Sequence, residues 1–285
     1  MAQHTTSVPG PQAGAAPAGQ LPLVPGEGEG WMAEEAGLLR EAERSRRPIA
    51  PLTKRHPAAD PGDAYRIQWA GIQQRLGEGA QVIGHKVGLT SAAMRQQMGI
   101  DEPDFGVLLD DMAVPTGGEL ALDGLISPRV EAEFAFRLTR DLAGKSVGVG
   151  EARAAVGEVL LAVEVIDTRY QDWTLTLTDS IADNAACARI VAGPAVPFLP
   201  ELDLPSELLT VTVNGTAVAS GAGSEILGDP IESVAWLARR LADFGLGLKA
   251  GEVVLAGAVH ASLPLTPGRV SVSSPHLPPV SVQIR

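Results

Sequence analysis

The stretch Pro128–Leu138, PRVEAEFAFRL, constrains the fold more than any other part of the chain. Read as a strand, its side chains alternate between two faces. Val130, Ala132, Phe134 and Phe136 share one face, and Glu131 and Glu133 share the other. A partner segment, Leu160–Tyr170, LLAVEVIDTRY, carries Glu164 inside an almost wholly apolar run. Acidic side chains are rarely buried unless they are paired or bind a metal. No lysine or arginine adjoins Glu131, Glu133 or Glu164. An E-x-E pair ordinarily marks the wet face of an antiparallel sheet. Glu164 shifts that reading, because its segment has the pattern of core. Three carboxylates on apolar strands point to a hard divalent cation held by oxygen ligands.

A cation site suits the rest of the chain. The net charge of -12 leaves no basic stripe for nucleic acid and disfavours an anionic membrane surface. An anionic substrate therefore needs a local positive centre. Gln81–Ser91, QVIGHKVGLTS, supplies one, because alternation puts Lys86 on the same face as Gly84 and Gly88. Glycines there leave room for a ligand or another backbone, so Lys86 reads as a cation at the floor of a small cleft. The competing reading is an exposed strand lysine. Beyond it, Thr90 or Ser91 is placed to cap a helix from Ala92 to about Met98. Pro103-Asp104-Phe105-Gly106 has turn chemistry suited to aiming a carboxylate into a cleft.

Two further segments admit more than one reading. The polar run Asp179, Ser180, Asp183, Asn184 lies between apolar flanks. It fits a loop closing over the carboxylates as well as ordinary capping by Asp179 or Ser180. His260, in AGAVHASLP, reads by itself as a structural rather than a catalytic histidine.

The remaining pattern gives an α+β fold. Residues 1–30, rich in Ala, Gly and Pro, read as a disordered tail. Residues 31–80 read as a helical subdomain, with one helix over Glu34–Arg47 and a second capped by Asp63. Residues 81–285 read as a catalytic domain dominated by mixed sheet. Within it, Leu208–Val218 is a hairpin about Asn214-Gly215, and Asp229-Pro230-Ile231-Glu232 opens a helix with Asp229 as N-cap and Glu232 closing a capping box. The single Cys187 excludes an internal disulfide and Cys-based zinc sites. No P-loop, GxGxxG or GxSxG is present, so nucleotide-dependent and serine-hydrolase chemistries lack support. A leader peptide and an apolar run of membrane-spanning length are both missing, which makes a cytoplasmic protein the expectation.

Several segments taken together resemble one family. GHKVGLTS, QQMGIDEPDFGVLLDDM, PRVEAEFAF, AVEVIDTR, DSIADNA, LGDPIESVAWLARRLADFG and LKAGEVVLAGA are similar to the 2-keto-4-pentenoate (2-hydroxypentadienoate) hydratases and 4-oxalocrotonate decarboxylases of the fumarylacetoacetate hydrolase superfamily. The resemblance implies a fumarylacetoacetase-like rolled mixed β-sheet with a small helical N-terminal part. It implies Mg2+ or Mn2+ held by Glu131, Glu133 and Glu164. It matches Lys86 and Asp104 to the family's substrate-side polar residues. The chemistry then expected makes Lys86 and Asp104 catalytic, with Asp183 as the alternative proton carrier, and Lys86, Leu89, Ser180 and His260 substrate-binding. The segment around His260 departs from the family's pattern. The implied substrate is a short 2-hydroxydienoate or 2-oxo acid from aromatic or steroid catabolism, which the enzyme hydrates. The alternative within the family is decarboxylation of 4-oxalocrotonate, which requires a further cation for the substrate's second carboxylate; Arg169, Arg189 and His260 are the candidates. A third reading is a non-catalytic subunit that supports another enzyme. The resemblance also implies a homo-oligomer that can associate with a paralogous hydratase or decarboxylase.

Overall fold

The computed structural model describes residues 30–91, 95, 100 and 102–285. Residues 1–29 and the helix expected over Ala92–Met98 lie outside the described residues, apart from Arg95. Gly30, expected in the tail, is the first residue of a helix.

The N-terminal part comprises α1 (Gly30–Ser45), the short α2 (Leu52–Arg55) and α3 (Pro61–Gly77). Asp63 does not cap α3. The N-cap is Asp60, whose carboxylate accepts from the Asp63 N–H at 2.9 Å while the Asp63 carboxylate accepts from the Asp60 N–H at 3.2 Å. This is a capping box with Pro61 at the first helical position. Met32, Ala36, Leu39, Leu52, Tyr65 and Ile67 share one continuous core with Phe134 and Phe136. The helices are thus packed on the sheet and bury their apolar stripe against it.

The strands follow as β1 (Val82–Gly88), β2 (Asp104–Leu109), β3 (Glu119–Leu120), β4 (Arg129–Leu138), β5 (Val156–Ile166), β6 (Cys187–Ala192) and β7 (Val196–Pro197). They continue with β8 (Leu208–Val213), β9 (Thr216–Ala222), β10 (Val253–Ala258), β11 (Leu263–Pro264), β12 (Gly268–Ser273) and β13 (Val280–Ile284). Helix α4 (Val149–Ala155) precedes β5, α5 (Leu177–Ala182) precedes β6, and α6 (Pro230–Asp243) lies between β9 and β10. One mixed sheet runs β2-β1-β10-β4-β5-β6, with β11 continuing beside β4 and β7 beside β5. Among the described strands of this sheet, only the β1–β10 pairing is parallel. A second sheet runs β3-β13-β12-β8-β9. Its Val270, Val272, Val280 and Val282 join the core that holds Phe134, Leu161 and Val163.

Local chemistry accounts for the connections. Asn214 and Gly215, at φ 50° and 82°, form the hairpin turn between β8 and β9, where both central residues need positive φ. Asp229 caps α6 by accepting from the Ile231 N–H at 2.9 Å. Glu232 does not complete a box there; its carboxylate takes Arg239 instead. No helix among the described residues is long and apolar enough to cross a membrane.

Candidate active site

The β4–β5 ladder builds the centre of the site. Antiparallel register sets Glu131 directly opposite Glu164, and Glu133 opposite Ala162. Glu131, Glu133 and Glu164 are 8%, 1% and 0% exposed, and one carboxylate oxygen from each lies within 4.8 Å of the others. The backbone fixes one of them: a register shift in β10 turns the Gly257 N–H onto Glu133 Oε2 at 2.8 Å. Gly257 has φ +110°, and a Cβ there would meet the Thr90 side chain at 2.2 Å, so this approach requires glycine.

The electrostatics of the cluster suit a cation. Burial, and next the Glu164 charge, push the Glu131 carboxyl up to about 7. The same two causes, joined by the Glu131 charge, hold Glu133 well above the usual carboxylate range. Among the described residues, neither carboxylate oxygen of Glu164 has a hydrogen-bond partner. Buried polar atoms left unpaired are costly, and the two Glu164 oxygens, converging with the Glu131 and Glu133 carboxylates, fit a hard divalent ion. Lys86 Nζ lies 3.5 Å from Glu164 Oε1 and brings one positive charge to the group. Burial alone would lower Lys86, yet the Glu164, Asp104 and Glu131 carboxylates hold it above its ordinary value. The lysine therefore stays charged.

Asp104 opens β2 and pairs across to Gly88 of β1. Its Oδ2 accepts from the Ser180 hydroxyl at 2.6 Å, while Oδ1 is buried without a partner among the described residues. Burial raises the Asp104 carboxyl, with Lys86 and the Ser180 hydrogen bond opposing part of that shift. A Cβ at Gly88 would sit 2.2 Å from Asp104 Oδ1 and 3.3 Å from Lys86 Nζ. The glycine predicted to leave room does so for these two catalytic candidates.

A cleft of about 600 Å³ opens over Lys86, Asp104, Glu131 and Ser180. Leu89, Trp173 and Leu175 give it apolar wall, and Arg129, His260 and Ser262 line it beyond Glu131 along β4. Leu89 is held at φ +57°, a conformation that costs a non-glycine residue energy and is found at functional sites. Another left-handed run, Asn184 to Ala186 at φ 53°, 51° and 57°, places Ala185 and Ala186 against the cleft. The Asn184 amide fastens that run by bonding both the N–H and the carbonyl of Val107, at 2.8 and 2.9 Å.

The polar run of α5 divides its duties. Asp179 is the third residue of the helix, in a capping box with N-cap Thr176, and also accepts from Thr53. Ser180 reaches the cleft. Asp183 does not: its carboxylate takes the Arg169 guanidinium, the Arg169 N–H and the Thr168 hydroxyl. Both residues line a separate small cavity beneath α1 and α3. The expected alternative proton carrier is thereby committed to a buried ion pair.

The same pair removes Arg169 as a cation for the far end of the cleft. Arg189 donates to the Ala188 carbonyl and is not among the cleft-lining residues. His260 lines the cleft, but Nε2 accepts from the Ala132 N–H at 3.2 Å and Nδ1 lies 2.8 Å from the Ala261 carbonyl. That arrangement defines a neutral ring, and burial lowers the imidazole further. Arg129 is the guanidinium that the sequence reading missed. The alternation that pairs Glu131 with Glu133 also puts Arg129 on their face, and that signal was available.

Residues 86–281 match the fumarylacetoacetate (FAA) hydrolase C-terminal family. The chain is 40% identical to a 2-keto-4-pentenoate hydratase of Burkholderia vietnamiensis over 228 residues, covering 80% of this chain and 87% of that one. It is 36% identical to a 4-oxalocrotonate decarboxylase of a Pseudomonas species, covering 81% and 87%. A solved structure of 4-oxalocrotonate decarboxylase from Pseudomonas putida G7, complexed with magnesium and adipate, superposes with a TM-score of 0.87 at 34% identity, over 90% of this chain and 98% of that one. The curled mixed sheet with its helical start is the fold that the resemblance implied.

Proposed function

The chain belongs to the fumarylacetoacetate hydrolase family, and on that footing we propose that it is a metal-dependent lyase that adds water to 2-hydroxypenta-2,4-dienoate, giving 4-hydroxy-2-oxopentanoate. The observation that carries this reading is the convergence of Glu131, Glu133 and Glu164 beside a charged Lys86 at the floor of the cleft. These three carboxylates would hold Mg2+ or Mn2+, which when bound supplies Lewis-acid stabilisation of negative charge at the substrate's 2-oxygen.

The chain's own residues supply the rest. Lys86 is a fixed ammonium in a buried setting, suited to the substrate's 1-carboxylate or the adjoining oxyanion. Asp104 carries the proton traffic. Its raised carboxyl exchanges protons more readily near neutral pH than an ordinary aspartate, and its unpartnered Oδ1 is the atom that does so. The 2-hydroxyl proton leaves as C5 is protonated, giving the conjugated 2-oxo form. Water then adds its oxygen at C4 and a proton at C3. Ser180 orients Asp104 through the 2.6 Å hydrogen bond. Leu89 and Leu175 exclude bulk water from the diene.

The test is to offer magnesium-loaded protein 2-hydroxypenta-2,4-dienoate and 4-oxalocrotonate separately, following dienoate absorbance and carbon dioxide. Dienoate loss without carbon dioxide release from the second substrate is the expected result. Carbon dioxide release would replace hydration with decarboxylation as the main activity. Silence on both, with metal bound, would leave the supporting-subunit reading.

A further inference from the structure

Asp104 and Ser180 lie 76 residues apart, and their 2.6 Å hydrogen bond forms only if β2 and α5 are docked in one arrangement. A side chain of the helical N-terminal part spans that junction. Gln68 of α3, 4% exposed, donates from its amide Nε2 to the Phe105 carbonyl at 2.9 Å and to the Ile181 carbonyl at 3.0 Å. A side-chain amide has two N–H donors, so both are spent here. Phe105 follows Asp104 in the chain, and Ile181 follows Ser180. One nitrogen therefore ties the backbone immediately beyond each member of the Ser180–Asp104 pair. Tyr65, one helical turn before Gln68, stacks on the Phe105 ring with centroids 4.6 Å apart and presses the same face of α3 onto β2.

The place of β2 in the sheet explains why a side chain is needed. β2 ends the strand order of its sheet, so backbone groups on its outer side have no ladder partner. Asn184 serves Val107 further along β2, and Thr53 holds α5 through Asp179. Among the described residues, Gln68 alone joins the two segments at the level of Asp104 and Ser180. A slip of about 1 Å between those segments breaks so short a hydrogen bond, and misplacement on that scale is costly to a reaction. We propose that Gln68 is a positioning residue for Asp104. By clamping Phe105 to Ile181 it keeps Ser180 on Asp104 Oδ2 and leaves Oδ1 aimed at the substrate. The N-terminal helices, which supply no described residue to the cleft wall, thereby govern the rate of proton transfer. This rests on the reading of Asp104 as the proton carrier.

The experiment compares steady-state rates of the magnesium-loaded full chain and its variants on 2-hydroxypenta-2,4-dienoate. Gln68→Met keeps the length of the side chain and removes both donors. Its kcat is expected to fall about 10- to 100-fold while KM stays at the native value. Ser180→Ala removes the hydrogen bond directly. Because both changes act on one contact, the double variant is no slower than the slower single, whereas independent losses would multiply. Ile72→Ala, one turn further along α3 and buried in apolar contacts, loosens the same helix and keeps kcat. A native kcat in Gln68→Met, an equal loss in Ile72→Ala, or multiplying losses in the double variant would overturn the proposal. Crystal structures of the native chain and Gln68→Met give a readout that needs no substrate. The Ser180–Asp104 distance is expected to open beyond about 3.5 Å in the variant, and an unchanged bond overturns the positioning role. A native chain silent on the dienoate overturns the hydratase reading, and the crystal comparison then decides the role of Gln68 by itself.

Discussion

Glu131 and Glu164 are direct partners across the β4–β5 ladder, two like charges facing each other at a buried position. Opposed like charges destabilise a strand pair, and burial multiplies the cost. A cation bound between them would relieve that cost. Removing one charge separates the cost from the benefit. Glu131→Gln keeps or raises the melting temperature of metal-free protein and loses the rise that Mg2+ gives the native chain, worth about 2.7 kcal/mol at a hundredfold excess over Kd. Thermal scans with and without Mg2+ measure both. A normal Mg2+ response in the variant contradicts the ligand assignment.

Lys86 sits 3.5 Å from Glu164, which among the described residues has no hydrogen-bond donor of its own. Lys86→Met leaves that carboxylate uncompensated and destabilises metal-free protein by about 3–5 kcal/mol. Mg2+ restores part of the stability, since it replaces the missing charge. Turnover stays at least about 100-fold down with metal saturating, because the substrate's own partner is gone. Denaturant melts and steady-state rates on one preparation check the two halves.

Gly88 is the neighbour of both polar groups. A methyl group there meets Asp104 Oδ1 at 2.2 Å, so the carboxylate has to swing away. The oxygen is the end of a side chain rather than backbone, and the strand tolerates alanine. Gly88→Ala therefore costs about 1 kcal/mol or less in stability but about 10- to 100-fold in kcat. Equal losses in stability and rate would assign Gly88 to packing alone.

Asp183 and Arg169 form a buried ion pair away from the cleft. Burial pushes the Asp183 carboxyl up to about 6 even with Arg169 beside it. Asp183→Asn strands the guanidinium and is expected to destabilise by about 3–5 kcal/mol. The fraction that remains folded keeps its KM. A variant of native stability with no activity would return Asp183 to the catalytic group.

Glu207 contributes to the acid limb of stability. Burial alone would raise its carboxyl, but hydrogen bonds from the His276 ring, the Ser274 hydroxyl and the His276 N–H outweigh it and hold Glu207 below its ordinary 4.5. A depressed carboxyl adds stability above its unfolded value and loses it as pH falls through the folded one. Glu207→Gln thus costs about 2 kcal/mol at neutral pH, and the gap to the native chain closes below pH 4.5. Urea melts at pH 7 and pH 3.5 show whether the two curves converge.

The three glutamates and Lys86 were legible in the sequence because strand alternation is strict and an acid in an apolar run has few explanations. Arg129 obeys the same alternation, yet what gives it meaning comes from Ser262 and Trp173, which no local pattern connects to it. Asp183 misleads because its partner is not announced by spacing: as the C-cap of α5 it pairs with Arg169, while Ser180 in the helix meets Asp104. Asp63 reads as a helix cap, and capping by Asp179 or Ser180 is one of two readings of the polar run; Asp60 and Thr176 are the actual N-caps. In a capping box both ends of the motif are polar, and sequence alone does not say which end is the cap.

The most direct measurement is anomalous diffraction from crystals soaked with Mn2+ and 2-oxopentanoate. One manganese peak within coordinating distance of Glu131, Glu133 and Glu164, with the 2-oxo acid between it and Lys86, is the predicted result. A peak elsewhere, or none among those carboxylates, would contradict the site from which the whole functional account is built.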